Sequence, residues 1–371
     1  MSKRILHCIP GMGGGGAERQ LSYLAAELDG RGWEVHVAAL CGGPNLDRIA
    51  ASGVRMHPLM ARGNYDARIF WQLIRTMRAV KADLVQVWLP QMEILGGLAA
   101  TALRLRWIFS ERCSAMAYPP SVKHRLRVLI ASRAAAVVSN SADGDAYWRG
   151  RVNGHVARFV VPNAVPLAEI DAERSATPEE TGIEAGQRVV LFVGRLCAQK
   201  NLDVLVSALR VVLAQPKTVA VFCGEGPLRA AVEQRLTEYG IRDRVRLPGY
   251  VRNIWRWIKR ADVFVAPSLF EGQPNAVLEA MACGCPLVVS DIPAHREFLD
   301  ETTAWLVNPY EADALAEAIL DVLSAPAAAI ARARKARAWV ASLSIPSVAR
   351  RYAEVYESVL ALRNHDRRAR R

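Results

Sequence analysis

The stretch Asp262-Val263-Phe264-Val265-Ala266-Pro267-Ser268, followed from Phe270 by Glu271-Gly272-Gln273-Pro274-Asn275-Ala276-Val277-Leu278-Glu279, changes period from strand to helix within a few residues. Residues 262–266 form a short apolar run of the length of a buried strand. Pro267-Ser268 breaks it. Pro274 fits the first position of a helix over 274–283, where a missing N–H costs nothing. Glu271 then lies on the loop before the helix, and Asn275 and Glu279, four apart, share one helix face.

The same strand-then-helix unit recurs along the chain. Further strands are expected at 4–9, 34–40, 84–88, 107–110, 135–139 and 158–161, then at 188–193, 218–223, 244–247, 286–290 and 304–307. Helical periodicity marks 17–29, 67–80, 201–214 and 227–239. Near-continuous apolar strands separated by helices imply parallel sheets covered on both faces. The pattern occurs twice, so the fold expected is α/β, with two doubly wound Rossmann-like domains facing across a cleft. Val161-Pro162-Asn163-Ala164-Val165-Pro166 and the polar residues after it mark the junction. This gives an N-terminal domain 1–165, a C-terminal domain 166–346, and a helix with a basic tail over 347–371 that could close either domain.

The 371 residues suit two domains, and 51% apolar with 23% charged residues suits a soluble globular protein. No window approaches 18 uninterrupted apolar residues, and the apolar start after Lys3-Arg4 is too short for a signal peptide. The chain is therefore expected in the cytoplasm. Seven scattered cysteines, with Cys283-Gly-Cys285 the one close pair, read as reduced packing residues rather than a disulfide or zinc framework. Residues 1–165 hold 21 Lys+Arg against 11 Asp+Glu, whereas the remainder holds 27 against 25. The basic half suits an acidic partner, such as an anionic membrane surface or a phosphorylated acceptor, or is simply solvated. No nucleic-acid motif accompanies it.

Three loops carry chemistry. A diphosphate near the Pro274 helix start would meet free N–H groups and the positive dipole end. Glu279 would then reach a ribose diol, and Glu271 a sugar beyond the phosphates. Acids near a helix start are also common without any ligand. Val193-Gly194-Arg195-Leu196-Cys197-Ala198-Gln199-Lys200-Asn201 follows an apolar strand, with Asn201 suited to cap the next helix. Its two cations, Arg195 and Lys200, suit a diphosphate leaving group. Pro10-Gly11-Met12-Gly13-Gly14-Gly15-Gly16-Ala17-Glu18-Arg19 contains G-x-G-x-x-G, but the second strand ends Leu40-Cys41-Gly42-Gly43 without the acid a nicotinamide site needs. Those glycines better suit close backbone approach to a phosphate or acceptor. Asp143-Gly144-Asp145, after Ser139-Asn140-Ser141, reads as the first turn of a capped helix rather than a metal pair.

These motifs resemble the retaining glycosyltransferases of family 4, which have the GT-B fold and act in polysaccharide or glycolipid assembly. The resemblance runs through most of the chain and is densest from Val190 to Leu299. It takes in Phe192-Val193-Gly194-Arg195 with Lys200, Gly224-Glu225-Gly226-Pro227, Leu247-Pro248-Gly249-Tyr250 and Glu271-Gly272-x-Pro274-Asn275 through Glu279. Gly14–Arg19 looks like the family's Gly-Gly-Ala-Glu-Arg loop. The resemblance implies that Arg195 and Lys200 hold a diphosphate, that Glu279 binds the ribose, and that Glu271 with Gly272, Gln273, Pro274 and Asn275 meets the donor sugar. The loop Tyr250–Arg252, with Tyr250 and Val251 among the donor-binding residues, would meet the base. Arg195, Lys200 and Glu271 would be the catalytic set. The first half would hold the acceptor through Gly13, Gly14, Gly15 and Gly16. Many relatives carry a cleft histidine where this chain reads Phe109-Ser110-Glu111-Arg112-Cys113, so Glu111 and Arg112 stand there as candidate acceptor contacts.

What the resemblance implies is transfer of a hexose from a nucleotide-diphosphate donor, a UDP-sugar, to a hydroxyl of a glycan or lipid-linked acceptor with retention. No metal or other cofactor is expected, since the nucleotide-sugar is a co-substrate. Domain closure would exclude water, and the basic half could hold the protein at the inner face of the membrane. The rival readings are a nucleotide-sugar-binding protein without transfer, and a sugar-phosphate-processing enzyme of the same fold, such as an epimerase or phosphorylase.

Overall fold

The computed structural model describes residues 2–63, 66–114, 116, 118 and 121–368, with side chains to residue 361. The chain divides into two compact units, one of residues 1–164 with 343 onward, the other of residues 165–342. The C-terminal helix Ile345–Arg368, which the sequence left open to either domain, belongs to the first unit and packs on the helix Gly16–Leu28.

The first unit contains seven strands: β1 Lys3–Gly11, β2 Trp33–Cys41, β3 Arg55–Pro58, β4 Leu84–Trp88, β5 Arg106–Glu111, β6 Ala136–Ser139 and β7 Ala157–Val160. They form one parallel sheet in the order β3-β2-β1-β4-β5-β6-β7. The central strands are apolar because both faces are covered; Leu84, Val85 and Val87 have no exposed surface. Strand β3 was not among the strands expected. It lies at the sheet edge with Arg55 and Pro58 exposed, so it has no apolar run to betray it.

The second unit contains six strands: β8 Arg188–Val193, β9 Thr218–Cys223, β10 Val245–Gly249, β11 Val263–Ala266, β12 Leu287–Ser290 and β13 Trp305–Val307. Their parallel order is β10-β9-β8-β11-β12-β13. A core of Leu205, Leu209, Phe222, Val265 and Ile319 fills the space between this sheet and its helices. In each unit the order runs outward one way from the first strand and then reverses. The reversal points are β1/β4 and β8/β11. Loops leaving the carboxyl ends of such strand pairs part from one another and leave a crevice where ligands bind.

Candidate functional site

The β8/β11 reversal brings together two of the loops marked in the sequence. The loop after β8 enters a single 3₁₀ turn, Ala198–Lys200, and the loop after β11 runs from Pro267 towards Pro274. Leu269 N donates to the Gln199 carbonyl at 2.9 Å. Gln199 Nε2 donates to the Phe270 carbonyl at 2.9 Å and to Glu271 Oε2 at 3.2 Å. Lys200 Nζ forms an ion pair with Glu271 Oε1. Both carboxylate oxygens of Glu271 are therefore engaged from the β8 side, and its side chain is buried.

This arrangement corrects two local expectations. Asn201 does not cap the following helix with its side chain: its backbone is left-handed at φ 52°, and its Nδ2 donates to the carbonyls of Pro267 (3.1 Å) and Pro309 (2.6 Å). It ties loops together instead. Pro274 is the residue before the helix, which spans Asn275–Ala282, and its carbonyl accepts from Val277 and Leu278 at 3.1 and 3.2 Å. No side chain caps that helix start.

The two cations read as a pair play different parts. Lys200 is held by Glu271, while Arg195 is exposed and has no side-chain partner among the described residues. Its backbone is nonetheless fixed. Gly194 N donates to the Cys223 carbonyl at 3.0 Å, Leu196 N to Glu225 O at 2.9 Å, and Leu228 N to Leu196 O at 3.0 Å. The loops after β8 and β9 approach so closely that a Cβ on Gly224 (φ 148°) would lie 2.0 Å from the Gly194 oxygen. On Gly226 it would lie 2.3 Å from the Leu196 oxygen. These glycines are a packing requirement rather than a source of flexibility. Gly224 N in turn donates to Gly249 O at 2.8 Å, which seats the turn bearing exposed Tyr250 and half-buried Val251.

On the helix after β11, Glu279 is buried, as are Gly272 and Gln273, while Asn275 is half-buried. A residue that the sequence did not single out completes this region. His295 is fully buried; its Nδ1 donates to the Ser290 carbonyl at 2.7 Å, and its Nε2 has no hydrogen-bond partner. Burial lowers the imidazole pKa, and the Glu271 carboxylate opposes that shift. Ser290 Oγ donates to the Ser268 carbonyl at 2.6 Å, tying the end of β12 to the loop that carries Glu271. A single histidine between Ala294 and Arg296 gives no sequence signal of such a place.

In the first unit, Gly13 is half-buried and Gly14, Gly15 and Gly16 are exposed at the start of the helix Gly16–Leu28, beside the β1/β4 reversal. Asn45 Nδ2 holds the Gly13 carbonyl and Asn45 N donates to Met12 O at 3.2 Å. Across the reversal, Leu89 follows β4 with φ 66°, a left-handed conformation that costs a branched residue about 1–3 kcal/mol.

Glu111 is not available to an acceptor. It is fully buried; Oε1 accepts from Arg112 N (2.8 Å), Cys113 N (2.8 Å) and Tyr118 Oη (2.6 Å). Its Oε2 accepts from Trp148 Nε1 at 2.9 Å and from Arg127 at 3.5 Å. Arg127 also binds Glu93 at 2.5 Å, and burial raises the Glu93 carboxyl pKa to about 7 against the pull of Arg127. The acid at the end of β5 is thus part of a buried ionic network. Arg112 is half-buried and turned to structural work: it reaches Asn163 Oδ1 at 3.1 Å and Tyr352 Oη, and lies 4.3 Å over the Trp88 ring. Asp143 and Asp145 occupy the first turn of the helix Ala142–Trp148, where Ser141 caps Gly144 N and Asp145 pairs with Arg158.

Residues 187–325 match the family described as glycosyl transferases group 1, and residues 15–164 match the glycosyl transferase 4-like domain. The chain belongs to the family 4-like glycosyltransferases. The group 1 match of this glycosyltransferase contains the whole β8/β11 site from Arg195 to Glu279. The 4-like match begins at Gly15, so Gly13 and Gly14 precede it. The lipopolysaccharide core biosynthesis mannosyltransferase LpsB of Rhizobium meliloti is 30% identical over 226 residues, 56% of this chain and 64% of that one. An Escherichia coli UDP-Gal:alpha-D-GlcNAc-diphosphoundecaprenol alpha-1,3-galactosyltransferase is 31% identical over 171 residues, 44% of each. The matches thus span only 64% and 44% of those relatives' lengths. Anabaena HepE, solved with UDP and glucose, shares the GT-B fold at a TM-score of 0.86 with 19% identity, over 96% of this chain and 100% of that one.

Proposed function

We propose that this chain transfers a hexose from a UDP-sugar to a hydroxyl of a glycan or lipid-linked acceptor, with retention at the anomeric carbon. The observation that carries the reading is the Lys200–Glu271 pair at the β8/β11 reversal, with Arg195 exposed on the same loop. A diphosphate entering there has Arg195 as an unengaged cation and Lys200 as a second. In this reading Glu271, beside Lys200, accepts from donor-sugar hydroxyls, and Glu279, one helix turn beyond Asn275, from the ribose.

As the bond from the anomeric carbon to the β-phosphate oxygen breaks, negative charge grows on that oxygen. Arg195 and Lys200 stabilise it more in the transition state than in the ground state. The acceptor oxygen bonds to the anomeric carbon from the face the phosphate leaves, and the acceptor proton passes to the departing phosphate. Arg195, Lys200 and Glu271 are the catalytic set in this reading. Gly13–Gly16 are the acceptor side of the first unit, and neither Glu111 nor Arg112 takes part. The relatives support the donor and acceptor class: HepE was solved with UDP and glucose, and the Escherichia coli enzyme is named for UDP-Gal and a polyprenyl-linked sugar.

The test is incubation with UDP-glucose, UDP-galactose and UDP-N-acetylglucosamine and a panel of glycan and polyprenyl-diphosphate acceptors. The anomeric configuration of the product is read by NMR. An α-linked product from an α-linked donor is expected. A β-linked product would remove retention. Sugar 1-phosphate formed from inorganic phosphate, with no glycan product, would replace the reading with a phosphorylase.

A further inference from the structure

The second unit holds a single histidine, and the proposed reaction does not use it. His295 follows β12 on the short helix Pro293–Arg296 and has no exposed surface. Its backbone is fixed on both sides: His295 N donates to Ile292 O at 3.0 Å, and Leu299 N donates to His295 O at 2.9 Å. Its Nδ1 donates to the Ser290 carbonyl at 2.7 Å. Burial lowers the imidazole pKa, so the ring is neutral near pH 7. With the proton on Nδ1, the unpartnered Nε2 carries a bare lone pair and can only accept.

The ring is tied to the loop that carries Glu271. Ser290 Oγ donates to the Ser268 carbonyl at 2.6 Å, and both serines are buried. From Ser268 the chain passes to Leu269, whose N donates to Gln199 O, and on to Glu271, which accepts from Gln199 and Lys200. Glu271 and Lys200 also act on the imidazole through space, the carboxylate raising its pKa and the ammonium lowering it. Asp291, the other charge that acts on it, is held by Arg296 at 2.6 and 2.8 Å. The bond to Ser290 accounts for Nδ1 but not for Nε2. A buried acceptor left without a donor costs about 1–3 kcal/mol, and a side chain kept only for packing would bury no such atom. A metal does not explain it, because no cluster of three His, Cys, Asp or Glu side chains could hold one among the described residues.

We propose that His295 is a positioning residue for the donor sugar: anchored on Ser290, it offers Nε2 as a fixed acceptor to an O–H group beside Glu271, and so holds the Glu271 carboxylate where it receives the hexose. The inference deepens the proposed function, on which it rests for a hexose at Glu271. The O–H belongs to the hexose or to a water bound with it, and in both cases His295 serves the sugar. Uridine and the diphosphate, met by other residues, do not depend on it.

The test is calorimetry and steady-state kinetics of His295→Asn and His295→Leu with UDP and with the UDP-hexose that wild type transfers. Asparagine keeps a donor for the Ser290 carbonyl and removes the distal acceptor; leucine removes both. His295→Asn should melt close to wild type and bind UDP as tightly. It should bind the UDP-hexose about tenfold more weakly, for the loss of one buried hydrogen bond. Its kcat should fall roughly a hundredfold, as for a reacting group displaced by on the order of 1 Å. His295→Leu should add a lower melting temperature to the same losses. Unchanged kcat and UDP-hexose affinity in His295→Asn would overturn the proposal. So would equal losses of affinity for UDP and for the UDP-hexose, which mark a merely structural residue. The 2-, 3-, 4- and 6-deoxy forms of the UDP-hexose locate the O–H. A loss that vanishes for one form assigns it to the sugar, a loss common to all assigns it to bound water, and either upholds the proposal. Transfer by wild type with an indifferent His295→Asn rejects this inference alone. Selective loss of UDP-hexose affinity in His295→Asn, with no glycan product from wild type, rejects the proposed reaction alone.

Discussion

Lys200 and Glu271, 71 positions apart, form an ion pair at the point where the strand order of the second sheet reverses. The pair is mostly desolvated, with 18% and 9% of the two side chains exposed. Removing one partner from such a pair strands a charge, at a cost of about 3–5 kcal/mol. Lys200→Ala should therefore lower the unfolding midpoint of the second unit as well as abolish transfer. Glu271→Gln, which keeps the shape and leaves Lys200 a polar neighbour, should melt closer to wild type while losing transfer. Equal melting of Lys200→Ala and wild type in denaturant titrations would remove the pair from the stability account.

Gly224 offers a test of backbone geometry that leaves every charge in place. Gly224→Ala adds a methyl 2.0 Å from the Gly194 oxygen at a φ of 148°. The loops after β8 and β9 must part to admit it, at a cost of at least about 1–3 kcal/mol. UDP binding should weaken at least tenfold because Arg195 moves with its loop. Calorimetry of this variant with UDP would contradict the account if affinity were unchanged.

The network at the end of β5 predicts a folding defect where the sequence suggested substrate contact. Glu111 receives hydrogen bonds on both oxygens and has no exposed surface. Glu111→Ala leaves Trp148 Nε1 and Tyr118 Oη without their acceptor, and Arg127→Met leaves two buried carboxylates without their cation. Each change should destabilise the first unit by roughly 3–5 kcal/mol. An Arg127→Met variant with wild-type stability and altered acceptor choice would show the opposite.

His7 sets a pH dependence of stability. It is buried, accepts from Trp88 Nε1 at 3.2 Å, and burial lowers its pKa to about 3. The unfolded chain takes up a proton near pH 6.5, while the folded chain does so only near 3. The stability it contributes is therefore complete above pH 6.5 and lost as pH falls through that window. His7→Asn, which keeps an acceptor for Trp88 but does not titrate, should lose less stability between pH 7 and pH 5 than wild type. Parallel thermal melts at the two pH values check this; a steeper loss in the variant would contradict it.

The doubly wound sheets were legible because central parallel strands are buried on both faces and read as near-continuous apolar runs, as Val263–Ala266 does and Leu84–Trp88 does apart from Gln86. Strand β3 was not, because an edge strand carries no such run. Arg195, Lys200 and Glu271 stood out in the sequence because each follows an apolar strand, and the structure puts each on a loop at a strand's carboxyl end. Their mutual arrangement did not. The sequence put both cations on one ligand and Glu271 on another part of it, while the fold paired Lys200 with Glu271. Glu111 misled for a related reason: an acid at a strand end looks poised for chemistry until Arg127, Trp148 and Tyr118 are seen to saturate it. His295 gave no signal, since its position depends on a turn back onto Ser290 that no local pattern announces.

Arg195 gives the cleanest test of the donor site, because it is exposed and engages no side chain whose loss would unfold the protein. The decisive measurement is calorimetric titration of wild type and Arg195→Ala with UDP and with UDP-sugars. Wild type should bind, and the variant should bind about tenfold or more weakly, consistent with one charge-assisted contact to phosphate, with the melting temperature unchanged. Binding of UDP by Arg195→Ala as tight as by wild type, or no binding of any UDP compound by wild type, would contradict the donor-site assignment.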